Sequence, residues 1–190
     1  MIEGVVGYPG QGKTYYAIYR ALKEMNQRNK HYPKGRAVYC NFDITGTQKI
    51  TPETLFDIEP GALVIIDEAQ NWFGSRNWKQ FGNKYMEFFS QTRKKQYTLL
   101  WISQDVSSVD KMIRDRTHLI HQTTSFGSGF FGRPLWFRLS TYYGAKNLGK
   151  SDHWAMNKWI PFKFSVANSY DTKEIISMRE IPEGELRNAN

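Results

Sequence analysis

Apolar residues in the first 125 positions cluster in five short runs, and polar or amphipathic segments separate these runs. Each run is rich in β-branched and aromatic residues, which favours β-strands. The third run, ALVII, is apolar without alternation, as expected of a strand that is covered on both faces. The sequence therefore predicts five strands, at Ile2 to Gly7, Ala37 to Phe42, Ala62 to Ile66, Tyr97 to Ser103 and Thr117 to Thr123.

Amphipathic stretches lie between these strands. Apolar residues at helical spacing predict one helix around Ile18 to Met25, a second around Tyr85 to Thr92 and a further one around Val106 to Ile113. The stretch from Asn71 to Phe81, which contains Trp, Gly and Asn, is interpreted as a loop. Because strands alternate with helices and such crossovers are right-handed, the pattern predicts an α/β fold with a parallel sheet covered on both faces.

The pattern changes after Ser125, where glycines and a proline interrupt the chain. Leu135 to Tyr143 predicts a strand, interpreted as one arm of a hairpin with Phe130 and Phe131. Asn147 to Trp159 is interpreted as irregular. We expect three parts: an α/β core at 1–125, a small β-rich or irregular extension packed on it at 126–182, and a polar tail or linker at 183–190.

The segment GYPGQGKT lies between the first predicted strand and the first predicted helix, and it matches the phosphate-binding loop G-x-x-x-x-G-K-[ST] at every fixed position. Backbone N–H groups and the positive end of the helix dipole converge there, so the segment predicts a site for nucleotide phosphates. Lys13 is expected to reach the β- and γ-phosphates, and the Thr14 hydroxyl to hold Mg²⁺. The candidate nucleotide-binding residues are Gly7, Tyr8, Pro9, Gly10, Gln11, Gly12, Lys13, Thr14 and Tyr15.

Two acids, Asp67 and Glu68, directly follow the third predicted strand. Nucleotide hydrolysis needs a carboxylate across from the phosphate loop, and the carboxyl end of a neighbouring buried strand can supply it. Asp67 is expected to hold Mg²⁺, directly or through water, and Glu68 to polarise the attacking water. Gln104, which ends the fourth predicted strand, is expected to contact the γ-phosphate or to orient that water.

Charge develops on the transferred phosphoryl group, so an arginine is expected to reach it. Arg93, Arg114 and Arg116 are the candidates. We choose Arg114 and Arg116, because they follow the helix after Gln104 and could reach into the site of a neighbouring subunit. His118 and His121 lie three residues apart, but without cysteines or other clustered ligands they do not indicate a metal site.

The formal net charge of +8 favours an anionic partner, such as nucleic acid, phospholipid headgroups or an acidic protein. The single cysteine, Cys40, excludes an internal disulfide and fits a reducing compartment. The first residues lack the features of a signal peptide and apolar runs stay near five residues, so we expect the chain as given to be soluble. The aromatic residues from Phe126 to Trp159, interleaved with Lys and Arg, could stack bases, form the core of a small β-subdomain or dock a partner.

Four segments in this order resemble the N-terminal domain of the zonular occludens toxin family, the filamentous phage assembly ATPases. They are GYPGQGKT, LVIIDEAQNWF, TRKKQYTLLWISQD and MIRDRTHLIHQ, and the likeness covers roughly Gly7 to Gln122. The resemblance implies a P-loop NTPase of the additional-strand, catalytic-glutamate division, with strand order 5-1-4-3-2 and with ATP and Mg²⁺ as cofactors. It assigns Lys13 and Thr14 to phosphate and Mg²⁺, Asp67 to Mg²⁺, and Glu68 to the role of catalytic base.

The resemblance also implies partners. Members of this family power extrusion of phage DNA from the cytoplasmic face of the host inner membrane, while coat protein replaces a single-stranded-DNA-binding protein. For this chain it implies a ring oligomer, a hexamer, that acts with phage coat protein and with single-stranded phage DNA or its binding protein. It further implies membrane attachment through a segment absent from this chain. The toxin activity that names the family belongs to a C-terminal part and is not carried over.

Other functions fit the same residues. The first is a DNA translocase or packaging ATPase that acts directly on nucleic acid. The second is a phosphotransferase for a small molecule, although an acidic pair followed by a strand that ends in Ser-Gln favours water as the acceptor. The third is a nucleotide-gated binding module without turnover, which loss of hydrolysis in Glu68→Gln with binding retained would exclude.

Overall fold

A computed structural model describes residues 1–73, 75–129, 133–150 and 153–170, with the backbone alone at positions 75–84 and 154. Within these residues, eight strands form one sheet in the order β3-β2-β4-β5-β1-β6-β7-β8. The strands are β1 Ile2–Val6, β2 Val38–Cys40, β3 Gln48–Lys49, β4 Leu63–Ile66, β5 Thr98–Ile102, β6 Leu119–Phe126, β7 Trp136–Tyr143 and β8 Trp154–Pro161. The α-helices are α1 Lys13–Asn26, α2 Ala69–Phe73, α3 Ser75–Lys94, α4 Lys111–Arg116 and α5 Phe164–Ala167.

The five predicted strands are all present, and they form the parallel centre of the sheet. β1 pairs in parallel with β5 on one side and with β6 on the other, and β4 lies between β5 and β2. Numbered as the five predicted strands, this order is 5-1-4-3-2, so the implied order is confirmed. The fold is that of a P-loop NTPase with the additional strand, here β5, inserted between the phosphate-loop strand and the strand that carries the acids.

Helices cover both faces of this parallel centre because its strands are apolar on both sides. Leu63 and Ile65 of β4 pack in the cluster that α1 and α5 form on one face. Val64 and Ile66 pack in a second cluster on the opposite face, with apolar side chains of α2, α3 and α4. All four β4 side chains are buried. The unalternating pattern of ALVII therefore had the predicted cause.

The chain after Ser125 extends the same sheet with antiparallel strands. β6 pairs along its whole length with β7, and β7 pairs with β8. The predicted strand at Leu135 to Tyr143 is thus confirmed, but its partners are Leu119–Phe126 and Trp154–Pro161. The proposed partners Phe130 and Phe131 lie outside the described residues. The prediction that Asn147 to Trp159 is irregular was wrong for its last part, which forms β8.

Two further differences concern helices. Most of the predicted loop from Asn71 to Phe81 is helical, because α2 ends at Phe73 and α3 begins at Ser75. The predicted helix from Val106 to Ile113 is instead a short 3-10 helix, Val106–Ser108, followed by α4. Asp105 and Asp110 explain the break, because each caps a separate helix by accepting a hydrogen bond from a backbone amide two residues later.

Across the described parts of the chain, none of the helices combines the length and the apolar character that crossing a membrane requires.

Candidate active site

The phosphate-binding loop joins β1 to α1 at the carboxyl edge of the parallel strands. Gly10 and Gly12 have φ angles of 77° and 83°, in the left-handed region that favours glycine. Gly12 is the N-cap of α1 and offers no side chain to the first turn, which also lacks an acidic residue. The amide groups at the start of this 14-residue helix are therefore available to an anion.

Lys13 lies over this loop. Its Nζ donates hydrogen bonds of 2.9 Å to the carbonyl oxygen of Gly7 and 3.1 Å to that of Tyr8. Partial burial lowers the pKa of the Lys13 ammonium, and the negative charges of Asp67 and Glu68 oppose that effect. The lysine is thus held at the position where phosphate oxygens can replace two backbone carbonyl oxygens as its partners.

Thr14 and Asp67 connect the two predicted halves of the site. Thr14 Oγ1 donates a hydrogen bond of 2.9 Å to Oδ2 of Asp67. Burial raises the pKa of the Asp67 carboxyl above its ordinary value, against the opposing effect of hydrogen bonds from Glu68 N and Thr14 and of the charge on Lys13. The buried Asp67 carboxylate and the Thr14 hydroxyl are two oxygen donors of the kind that Mg²⁺ prefers, and the charge of the Lys13 ammonium acts on the same carboxylate.

Asn41, just after β2, fixes the backbone that carries Asp67. Its Nδ2 donates a hydrogen bond of 2.9 Å to the Asp67 carbonyl oxygen, and its Oδ1 accepts one of 2.8 Å from the Asp67 amide. Sequence analysis placed Asn41 inside a strand and gave it no role. The sequence did contain a sign of this role. Asn41 is a polar residue at the carboxyl end of the predicted strand next to the strand that carries the two acids.

Glu68 has a positive φ of 49°, which is unusual for a residue other than glycine. Its amide donates a hydrogen bond of 2.8 Å to Oδ1 of Asp67, and this contact fixes the turn between the two acids. Its Oε2 accepts a hydrogen bond from Nε2 of Gln70. The left-handed backbone sends the two adjacent acids in different directions, and strain of this kind is concentrated at functional sites.

Gln70 connects Glu68 to the end of β5. Its Oε1 accepts a hydrogen bond of 3.0 Å from Oγ of Ser103, and Ser103 Oγ also lies 2.6 Å from Oγ of Ser108. Gln70 belongs to the segment LVIIDEAQNWF, which carries part of the family resemblance, but the sequence pattern assigned it no role. A glutamine two residues after the predicted base, on the first turn of α2, was the signal.

Gln104 is exposed at the mouth of a cavity of about 430 Å³ beside the phosphate loop. Gly7, Tyr8, Gln11 and Gln122 also line this cavity. The Gln11 side chain is fixed at the wall of this cavity, because its Oε1 accepts hydrogen bonds from the amide and the hydroxyl of Ser125. The structure thus brings Gln104 to the same cavity as the loop.

The Tyr15 side chain, unlike those of Tyr8 and Gln11, does not line the cavity. Its ring stacks on Phe137 at 4.5 Å between centroids and on Phe162 at 5.5 Å. Its hydroxyl donates to the Pro161 carbonyl oxygen and accepts from the Lys163 amide. Tyr15 therefore joins α1 to the β7–β8 hairpin, while Tyr8 and Pro9 are exposed at the tip of the loop.

Arg114 and Arg116 lie on α4, which leads back to the amino end of β6. The following residue pair, Thr117 and His118, lies beside the start of β1, since His118 and Ile2 exchange backbone and side-chain hydrogen bonds. The structure therefore does not bring Arg116 to the phosphate loop of its own chain. Arg114 Nε is buried without a hydrogen-bond partner among the described residues, and Arg116 is exposed.

His121 is buried and both of its ring nitrogens have hydrogen-bond partners within the protein. Its ring nitrogens lie 2.9 Å from the hydroxyl of Thr141 and 3.1 Å from Oε2 of Glu3, which also forms an ion pair with Arg20. Burial alone would raise the pKa of the Glu3 carboxyl, but its contacts with His121 and Arg20 lower it overall. In the described residues, no group of three or more His, Cys, Asp or Glu side chains is arranged to hold a metal ion.

The chain is similar to known proteins in sequence and in fold. The family model of Zonular occludens toxin (Zot) matches residues 46–152. The gene 1 protein of Enterobacteria phage I2-2 is 26% identical over 91% of this chain and 56% of its own length. The gene 1 protein of Salmonella phage IKe is 26% identical over 93% of this chain and 58% of its own length. The chain thus spans little more than half of these relatives.

Two solved structures share the fold. The N-terminal domain of zonular occludens toxin from Neisseria meningitidis aligns with a TM-score of 0.59 and 18% identity, over 90% of this chain and 98% of that domain. B204, the DNA-packaging ATPase from Sulfolobus Turreted Icosahedral Virus, aligns with a TM-score of 0.54 and 12% identity, over 85% and 98% of the two chains. Since the family model matches more than half of its residues, this chain belongs to the zonular occludens toxin (Zot) family.

Proposed function

We propose that this chain is the ATP-hydrolysing motor domain of a filamentous phage assembly machine. The observation that carries the proposal is the contact between Thr14 and Asp67, at 2.9 Å, beside Lys13 and at the carboxyl edge of the sheet. It joins a phosphate-binding loop to the acid pair that hydrolysis requires. The resemblance of four sequence segments to the family supports the biological role.

In this proposal the loop from Gly7 to Tyr15 binds the triphosphate of ATP, through backbone amides and through Lys13. Thr14 and Asp67 would hold Mg²⁺, and both are oxygen donors of the kind that this ion prefers. Bound there, Mg²⁺ would neutralise charge on the phosphate oxygens. Lys13 adds a second positive charge on the same oxygens when it exchanges its present carbonyl partners for them.

Glu68 is the proposed general base. Its carboxylate accepts a hydrogen bond from Gln70, which orients it, and it takes the proton of the attacking water. Gln104 contacts the γ-phosphate or that water from the opposite wall of the cavity. Arg114 or Arg116 supplies positive charge to a neighbouring subunit, because α4 leads away from the phosphate loop of its own chain.

The larger machine is also a proposal. We infer that the domain works as a ring, a hexamer, on the cytoplasmic face of the host inner membrane. The membrane segment would lie in the part of the protein that this chain does not include. Phage coat protein and single-stranded phage DNA, or the protein that binds this DNA, are its partners. The match to gene 1 proteins of two phages supports this assignment.

The test is hydrolysis and binding by matched variants. We expect Mg²⁺-dependent release of phosphate from ATP by the purified chain, and its loss in Glu68→Gln with nucleotide affinity retained. Glu87→Gln, an exposed acid on α3, is the control and keeps full activity. Failure of the wild-type chain to bind ATP, or full activity in Glu68→Gln, would contradict the proposal.

A DNA translocase that acts without coat protein is the second candidate. The observation that favours it is the basic, acid-poor hairpin of β6, β7 and β8, which suits a polyanion. Strong stimulation of ATP hydrolysis by naked single-stranded DNA would support this candidate. Stimulation that appears only with coat protein would support virion assembly instead.

A further inference from the structure

The outer face of the β6–β7–β8 sheet carries exposed aromatic side chains. Register pairs Thr124 with Arg138 and Arg138 with Trp159, and it pairs Phe126 with Trp136, so these five residues share one face. We call this face the hairpin platform. Trp159, Trp136 and Phe126 are 52%, 47% and 37% exposed, although large aromatic side chains are usually buried.

The platform combines ring faces with a guanidinium group. The rings of Phe126 and Trp159 lie 5.1 Å apart, and the guanidinium of Arg138 lies 5.2 Å from the centre of Phe126. Arg138 Nε is buried and has no hydrogen-bond partner among the described residues. An aromatic group beside an arginine offers a base a surface to stack on and a phosphate a charge to pair with.

The charge of this region matches a polyanion. On the platform itself the positive charge is that of Arg138, because Lys158 of β8 lies over the Tyr19 ring on the α1 side and Arg133 lies over the Phe164 ring of α5. The three strands themselves contain no acid. An uncharged partner surface would use the aromatic groups alone, whereas a strand of phosphates also uses the charge of Arg138, and the vesicle experiment below distinguishes DNA from an anionic membrane.

The opposite side of the same strands is a conventional core. Phe137, Leu139 and Ile160 alternate with the platform residues and pack in the cluster that contains α1. The end of the described chain also lies on that side, because Val166 belongs to the same cluster. The exposed aromatic groups of the platform thus belong to the face away from α1.

The platform adjoins the candidate ATP site. Thr124, a platform residue, also lines the cavity beside the phosphate loop, together with Gln122 of the same strand. β7 carries Trp136 and Arg138 outward and Phe137 inward, under Gly12 of the loop. A ligand on the platform would therefore lie one strand away from the residues that bind phosphate.

We propose that the hairpin platform binds single-stranded DNA, with bases stacked on Trp159, Trp136 and Phe126 and phosphates paired with Arg138. A single strand is required because the faces of bases in a duplex are already stacked. The choice of DNA rests on the proposed function in virion assembly. The binding itself requires no nucleotide, so it is tested apart from hydrolysis.

The test is fluorescence anisotropy of a labelled oligothymidine of about 16 nucleotides, the upper end of common site sizes, with the purified chain and no ATP. We expect binding that weakens as salt rises. Trp159→Ala and Arg138→Gln each weaken it, by about five- to a hundredfold for the stacking residue. Trp159→Phe retains most of the affinity, which separates loss of stacking from loss of fold.

Matched controls lie on the other side of the molecule. Phe164→Ala removes an aromatic ring that is 62% exposed on α5, and Lys23→Gln removes an exposed charge on α1, and both should bind as the wild type does. No binding at low salt, equal binding by Trp159→Ala, or tighter binding of oligouridine or duplex would overturn the proposal. The proposal would also be overturned if the chain bound phosphatidylglycerol vesicles through Trp159 but did not bind the oligonucleotide. ATP hydrolysis without DNA reports separately on the proposed function.

Discussion

Thr14 on the first turn of α1 and Asp67 at the end of β4 share a hydrogen bond of 2.9 Å across a separation of 53 residues. The contact requires that β1 and β4 end at the same edge of the sheet, which the inserted strand β5 between them maintains. It places a hydroxyl and a carboxylate oxygen side by side beside Lys13. The fold thus brings two oxygen donors from distant segments of the chain side by side.

The first prediction concerns the hydroxyl. Thr14→Ala should raise the Mg²⁺ concentration for half-maximal ATP hydrolysis by about ten- to a hundredfold, because one partner of Asp67 and one oxygen donor are lost. Thr14→Ser keeps the oxygen and should behave nearly as the wild type does. A Mg²⁺ titration of initial rates measures both variants. An unchanged titration for Thr14→Ala would remove this residue from the metal site.

The second prediction concerns the buried charge of Asp67. Its pKa is raised in the folded chain, so the folded state binds more protons and stability falls as pH rises through and above 3.8, up to the raised value. Asp67→Asn should abolish hydrolysis and yet raise the Tm at pH 7 without nucleotide. Each kcal/mol gained corresponds to roughly 2–4 °C for a domain of this size.

The control for that prediction is pH. The difference in Tm between Asp67→Asn and the wild type should shrink as the pH falls, because burial raises the pKa of Asp67 and uptake of a proton by the wild-type carboxyl removes the buried charge. Scanning calorimetry at several pH values without nucleotide measures it. A difference that grows on acidification would mean that the charge of Asp67 stabilises the fold.

The sequence pattern was sufficient for the parallel centre of the sheet but not for its surroundings. β1, β4 and β5 are buried on both faces, so their apolar runs carry a strong signal. The face of β8 that carries Trp159 is exposed, so β8 lacks the continuous apolar run of a buried strand. Its sequence pattern therefore does not distinguish it from an irregular segment. In the stretch from Asn71 to Phe81, Gly and Asn favour a loop locally, and packing of residues such as Phe73 in the core overrides that preference.

Sequence analysis also located most of the candidate site, because a phosphate loop and an acid pair have fixed positions relative to their strands. It missed Asn41, whose contacts join two neighbouring strands, and Gln70, whose orientation towards Glu68 and Ser103 is set only in the folded chain. It included Tyr15 with the loop, although the first turn of a helix points its residues in several directions and this one faces Phe137. Which residues of a helix face the binding site can be decided only when the layer against which the helix packs is known.

The third prediction concerns Gln70, which holds the proposed base. Gln70→Ala removes the hydrogen bond to Glu68 and the contact with Ser103. We expect kcat to fall by about tenfold with the Kd for ATP unchanged, since orientation of a general base affects the chemical step alone. Gln91→Ala, which removes a comparable contact with Glu87 on α3, should leave kcat unchanged. A loss of ATP affinity in Gln70→Ala would assign it to binding instead.

The last prediction concerns Phe137, which packs beneath the phosphate loop. A Cβ added at Gly12 would lie 2.3 Å from its ring, and its ring stacks on Tyr15 at 4.5 Å. Phe137→Leu should cost about 1 kcal/mol of stability. It should also weaken ATP binding several-fold, because the phosphate loop loses the aromatic ring against which Gly12 packs. Binding of a fluorescent ATP analogue and thermal unfolding give the two values.

Ile160 supplies the matched control for this effect. It lies in the same buried cluster as Phe137, on the neighbouring strand, and Ile160→Val should cost a similar 0.5–1.5 kcal/mol, roughly, while leaving ATP affinity unchanged. Equal effects of both variants on affinity would mean that general loosening of the hairpin is responsible. An effect confined to Phe137→Leu would establish β7 as the element through which the hairpin and the phosphate loop respond to one another.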